Sequence, residues 1–123
     1  MTAQGFTDQG ETKADNLLAG EFPRIVELAT VSGGKYARGT ILGKITTSGK
    51  CTICTSAATD GSKDAYAILA EAVDTSEKDK QAVVYLTGEF NAAALTVGSG
   101  LTVDGLKDAL RAKSIFIKNN QAY

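Results

Sequence analysis

The sequence predicts a compact, mainly β domain of the α+β class with one or two short helices, and three observations support this class. Short runs of β-branched, aliphatic and aromatic residues alternate with turns that contain glycine. A single segment near the C-terminal end combines a helical apolar period with a capping residue. The length of 123 residues suffices for one hydrophobic core without metal or disulfide support. We therefore expect one folded domain.

Five runs in the first three quarters of the chain have the composition of strands. Glycine turns separate the first three of them, and Ser48-Gly49 between the second and the third predicts a hairpin. The fourth run mixes residues that favour a helix with residues that tolerate a sheet, and we assign it to a strand. The five runs are Arg24 to Thr30, Thr40 to Thr47, Lys50 to Thr55, Ala65 to Val73 and Val83 to Phe90.

The predicted helix covers Val103 to Ala112. Thr102 is suited to cap its first turn, and Asp104 lies where the positive end of the helix dipole favours a carboxylate. Val103, Leu106 and Leu110 form one apolar stripe, which predicts that the helix packs on a sheet. Asn91 to Ala94 is predicted as a further helical turn, and Ser114 to Lys118 as a last short strand.

Residues 1–21 differ in composition from the rest of the chain. Their only large apolar side chains are those of Phe6, Leu17 and Leu18, too few to offset the entropy lost on ordering the segment. We predict a flexible N-terminal arm over residues 1–21 and a single β-rich domain over residues 22–123.

Charge and residue usage exclude several classes of function. Thirteen basic and fourteen acidic residues are interspersed along the chain, which argues against direct binding of nucleic acid. No apolar run approaches the ~20 residues of a membrane span, so we expect a soluble protein without a membrane partner. The chain contains no histidine, which excludes histidine-dependent triads and metal sites. We expect neither an enzyme, nor a cofactor, nor a metal.

Cys51 and Cys54 form the one pattern that a motif search would select. If their segment is a strand, their Cα atoms lie ~10 Å apart and their side chains point to opposite faces of the sheet. A disulfide requires less than ~7 Å between Cα atoms, so this pair cannot close. We predict two structural cysteines that act as small apolar side chains.

Four segments resemble the lambda-type bacteriophage head decoration proteins. They are RGTILGKIT at Arg38 to Thr46, SAATDGSKDAYAILAEAVD at Ser56 to Asp74, VVYLTGEFNAAALT at Val83 to Thr96, and LKDALRAKSIFI at Leu106 to Ile117. The resemblance implies a β-tulip-like domain that assembles into a homotrimer. It also implies binding to the major capsid protein on the outside of the expanded head, at three-fold and quasi-three-fold sites, and stabilisation of the shell against the pressure of packaged DNA. The protein would occupy the host cytoplasm during assembly and the outer capsid surface of the virion afterwards.

Two sets of residues follow from the resemblance. The capsid-binding residues of the arm would be Phe6, Thr7, Leu17, Leu18 and Phe22, and the trimer interface would include Tyr85, Phe90 and Asn91. Two alternatives stay open at this point. One is a small β-rich component of a phage tail or baseplate, which would form rings or tubes, and the other is a small redox protein that uses the two cysteines.

Overall fold

The computed structural model describes residues 17–118, and within them nine strands, one α-helix and one short 3-10 helix. The β-rich class with little helix is confirmed. In chain order the elements are β1 Val26–Val31, β2 Lys35–Tyr36, β3 Ile41–Lys44, β4 Cys51–Ile53, β5 Ala65–Leu69, β6 Val73–Asp74, β7 Lys80–Tyr85, β8 Gly88–Asn91, the 3-10 helix Ala92–Ala94, α1 Val103–Arg111 and β9 Ile115–Lys118.

Five strands close a small barrel in the order β1-β4-β3-β5-β7, with the antiparallel β1–β7 ladder completing the ring. The predicted hairpin is present as the antiparallel pair β3–β4. A β-bulge lies between Leu42 and Gly43 where β3 pairs with β5. A Cβ atom on Gly43 would come within 2.0 Å of the Ser62 carbonyl oxygen, so this close crossing of two backbones requires glycine. Two smaller sheets, β2–β6 and the parallel pair β8–β9, flank the barrel.

Alternate residues of the barrel strands supply two separate hydrophobic cores. The inner core draws residues from all five barrel strands: Val31, Leu42, Cys51, Ala67, Leu69, Ala82 and Val84. The outer core joins β3 and β5 to a second layer made of β8, β9 and α1: Leu17, Ile41, Cys54, Ala65, Ile68, Phe90, Leu106, Leu110, Ile115 and Ile117. Neighbours such as Ile41 and Leu42 fall in different cores, because successive strand residues point to opposite faces.

Helix α1 and its cap form as predicted. The Thr102 hydroxyl accepts a hydrogen bond from the Gly105 N–H at 3.0 Å, and Leu106 and Leu110 are buried. The helical turn predicted after β8 is also present, capped by the Asn91 side chain.

Two predicted strands are each divided in the structure. The run 65–73 forms β5 and the separate β6, and the run 83–90 forms parts of β7 and β8. The second break occurs just before Gly88, whose φ of 148° favours glycine. The expectation of continuous strands is wrong here, because β7 closes the barrel while β8 belongs to the layer outside it.

Candidate functional site

Residues 17–22, here called the root segment, are the part of the predicted arm that the structure describes. Leu17 is 2% exposed and belongs to the outer core, and Leu18 packs against the same core. The expectation that both leucines belong to a flexible arm is wrong, because their side chains are covered by the second layer. The folded domain therefore includes Leu17. Phe6 and Thr7 lie outside the described residues.

The root segment runs antiparallel to β8 and is held by main-chain hydrogen bonds. The Asn91 N–H donates to the Leu17 carbonyl oxygen at 2.7 Å, and the Ala19 N–H donates to the Glu89 carbonyl oxygen at 2.9 Å. Leu18 forms an isolated bridge with β8 between these two bonds. The pattern adds a short strand to β8 on the side opposite β9.

The Glu89 carboxylate ties the root segment to the end of β9. It accepts a hydrogen bond from the Phe22 N–H at 2.6 Å and forms an ion pair with Lys118. The bond from Lys118 and the bond from the Phe22 N–H hold the pKa of Glu89 below its usual value. Gly20 passes so close that a Cβ atom there would lie 2.3 Å from a Glu89 carboxylate oxygen. A side chain at this position would therefore displace the Glu89 carboxylate from its present position.

Phe22 contributes an aromatic contact at the same place. Its ring meets Phe116 of β9 edge to face, with 4.9 Å between ring centroids. A surface groove of about 280 Å³ lies beside it, lined by Gly20, Glu21, Phe22, Pro23 and Arg24. Phe22 is thus half-buried against the domain and borders an open groove.

The residues expected at a trimer interface are placed differently from the prediction. Tyr85 is half-buried, with its ring centroid 5.4 Å from that of Phe90 and the Arg38 guanidinium above it at 5.8 Å. Phe90 and Asn91 are 0% and 1% exposed. Phe90 is buried in the outer core together with Leu17, Leu106 and Leu110, so the surface of one chain does not offer it to a trimer interface as expected. Asn91 accepts a hydrogen bond from the Ala93 N–H and acts as a helix cap.

The two cysteines are free and buried, in different cores. Cys51 belongs to β4 and Cys54 directly follows it, and their placement in different cores agrees with side chains that point in opposite directions. The Cys54 thiol donates to the Lys63 carbonyl oxygen at 3.0 Å. Burial raises the pKa of both thiols, which disfavours the reactive thiolate. Within residues 17–118 no group of three or more metal-ligating side chains is present.

One exposed feature was missed by the sequence reasoning. Ile25, Val26 and Leu28 are each more than half exposed. Val26 and Leu28 lie on β1, and Ile25 directly precedes it. The prediction for this segment included a strand but not its exposed apolar side chains. A signal was available in the sequence. Three large apolar residues within four positions occupy both faces of a strand, whereas a strand with one buried face alternates apolar and polar residues.

The described residues thus form a small barrel with a second layer, an anchored root segment and exposed apolar residues at β1. Over residues 7–115 the sequence matches the family model described as bacteriophage lambda head decoration protein D. The chain belongs to this family and is a phage head decoration protein of the virion capsid. No match was found among curated proteins. None of the described helices is long and apolar enough to cross a membrane.

Proposed function

We propose that the protein binds the outside of the expanded phage head as a homotrimer, at three-fold and quasi-three-fold sites, and stabilises the shell against the pressure of packaged DNA. Its partner there is the major capsid protein, and before docking it is free in the host cytoplasm. The family match over residues 7–115 carries the proposal. The match is to a head protein, so it does not support the alternative of a tail or baseplate component.

Stabilisation follows from selective binding. A protein that binds only the expanded shell lowers the free energy of that state by its binding free energy at every occupied site. A trimer presents three copies of each contact, so the second and third contacts form at a high effective concentration. Individual contacts can therefore be weak while the whole trimer stays bound.

The root segment supports a role for the residues that precede it. Leu17 is inserted in the outer core, and main-chain bonds to β8 hold Leu17 and Ala19. A capsid contact made by residues 1–16 would thus be attached directly to the packed part of the domain. Phe6 is the one large apolar side chain in that stretch other than Met1. We assign the capsid contact to Phe6 and Thr7, with Phe22 at the border of the groove.

Cosedimentation with expanded heads that lack the protein tests this assignment. The full chain is compared with a variant that lacks residues 2–16, a deletion that stops short of the buried Leu17. We expect the truncated protein to bind at least about 100-fold more weakly, because three contacts are lost from each trimer at once. Undiminished binding would show that the capsid contacts lie on the folded domain.

A matched pair of substitutions separates a specific contact from a loss of chain length. Phe6→Ala is expected to weaken binding several-fold, because it removes the main apolar group of the stretch, whereas Gln4→Ala should leave binding unchanged.

Heads with and without bound protein are then heated, and DNA release is followed. Equal release temperatures for the two would refute the stabilising role.

A further inference from the structure

An apolar strip is exposed on the first strand of the barrel. It consists of Ile25, which is 56% exposed, and the β1 residues Val26 and Leu28, which are 56% and 61% exposed. They are the large hydrophobic residues that the described part of the chain leaves mostly uncovered. Val26 and Leu28 are two positions apart on β1 and share one face, and neighbouring exposed apolar side chains are typical of an interaction site.

The same strand has an open edge. The Val83 N–H donates to the Glu71 carboxylate at 2.8 Å, and the Val83 carbonyl oxygen accepts a hydrogen bond from the N–H of Ala70, which follows β5. Both groups of Val83 therefore point away from β1. Leu28 and Val83 are opposite each other in the β1–β7 ladder and hence form a pair without mutual hydrogen bonds. Because such pairs alternate, the N–H and C=O groups of Val26 and Leu28 point to the edge away from β7. Among residues 17–118, β4 meets this edge only at Val31.

The second layer of the domain stops before it reaches β1. Tyr85 of β7 is packed against Phe90 and the outer core, and Val26 lies opposite Tyr85 in the ladder. Val83 is half-buried, and its partner Leu28 is exposed. Among residues 17–118, the outward face of the barrel is therefore covered on β3 and β5, partly covered on β7 and uncovered at Val26 and Leu28 of β1. A sheet face of this composition is normally covered by another element.

We propose that the outward-facing side chains of Val26 and Leu28, together with the open edge of β1, form the subunit contact of the trimer and are covered by a second copy of this chain. The inference rests on the trimer of the proposed function. In a closed trimer the contact is heterologous, so β1 of each copy meets a different surface of the next copy. The neighbouring copy covers β1 in the same way that the second layer covers β3 and β5.

Two observations favour a second copy over the capsid protein. A decoration protein meets the capsid from solution, and an uncovered apolar strand edge promotes uncontrolled association while the protein is free. A second copy is the partner already present at that stage. Charges of opposite sign also lie next to these residues, since Arg24 precedes Ile25 and Glu27 lies between Val26 and Leu28, and the chain carries a net charge of only −1. Copies can therefore meet there without repulsion and with pairing of unlike charges.

Sedimentation equilibrium over a range of concentrations tests the proposal on the full chain. Leu28→Asp places a charge in the strip, and the double variant Val26→Thr with Leu28→Thr removes apolar surface while it places β-branched residues, which favour strands, at both positions. The control is Ala109→Asp, which places the same charge on an exposed position of α1. We expect wild type and control to sediment with the mass of three chains, and both β1 variants to shift towards one chain, with at least about a 100-fold rise in the trimer dissociation constant.

The possible outcomes are distinguishable. The proposal is overturned if the β1 variants stay trimeric with the dissociation constant of wild type. If such trimers also lose binding to expanded heads, the strip is assigned to the capsid contact instead. A wild type with the mass of one chain at all concentrations refutes the trimer itself. Circular dichroism and thermal melting verify folding, and if Leu28→Asp does not fold, the double Thr variant decides.

Discussion

Replacement of Leu17 by Ala is expected to lower the free energy of unfolding by about 2–4 kcal/mol. The side chain is 2% exposed and packs in the outer core, with a methyl group beside Gly39. Buried Leu to Ala substitutions cost about 2–5 kcal/mol, and we place this one in the lower part of the range because the root segment lies at the edge of β8 and can shift into the cavity. For a folded domain of this size the loss corresponds to a decrease in Tm of about 10–20 °C.

Urea denaturation followed by circular dichroism measures this effect. Wild type and variants are compared at one protein concentration, because self-association adds to the apparent stability. Leu18→Ala is the matched control, and we expect a smaller loss of about 1 kcal/mol because Leu18 is only partly buried. A Leu17→Ala variant with the Tm of wild type would show that Leu17 belongs to a flexible arm after all, which would refute the boundary derived from the structure.

Three further predictions follow from the described contacts. Gly43→Ala should destabilise the protein by about 1–3 kcal/mol, because the added methyl group collides with the Ser62 carbonyl oxygen, and an unchanged urea midpoint would contradict this. Replacement of both Cys51 and Cys54 by Val should leave head binding intact, and the native thiols should react with a thiol reagent only on unfolding; fast labelling of the native protein would argue against structural cysteines. The pKa of Glu89 is lowered from its usual value of 4.5, so the contribution of this carboxylate to stability is complete above pH 4.5 and is lost as the pH falls through the folded-state pKa. Glu89→Gln should therefore flatten the acid side of the plot of unfolding free energy against pH. A plot identical to that of wild type would exclude this role.

Local interactions determined much of the secondary structure, and the sequence alone was sufficient to predict it. The Thr102 cap, the apolar stripe of α1 and the glycine turn of the β3–β4 hairpin each depend on residues within a few positions of one another. The opposite orientation of Cys51 and Cys54 follows in the same way from the two-residue period of a strand. The β-rich class and the head decoration family were likewise apparent from the order and spacing of short segments.

Contacts between distant residues decided the rest. Leu17 and Phe90 are buried because segments more than 70 positions apart lie side by side, and no local pattern indicates this pairing. The polar composition before Leu17 predicted an arm that extended too far, since composition does not show which single leucine meets a complementary cavity. The extent of the second layer also decides which part of an apolar run belongs to the barrel and which part lies outside it. It likewise decides that the strip on β1 stays uncovered. Burial is a property of the assembled layers, so the three-dimensional arrangement alone determines it.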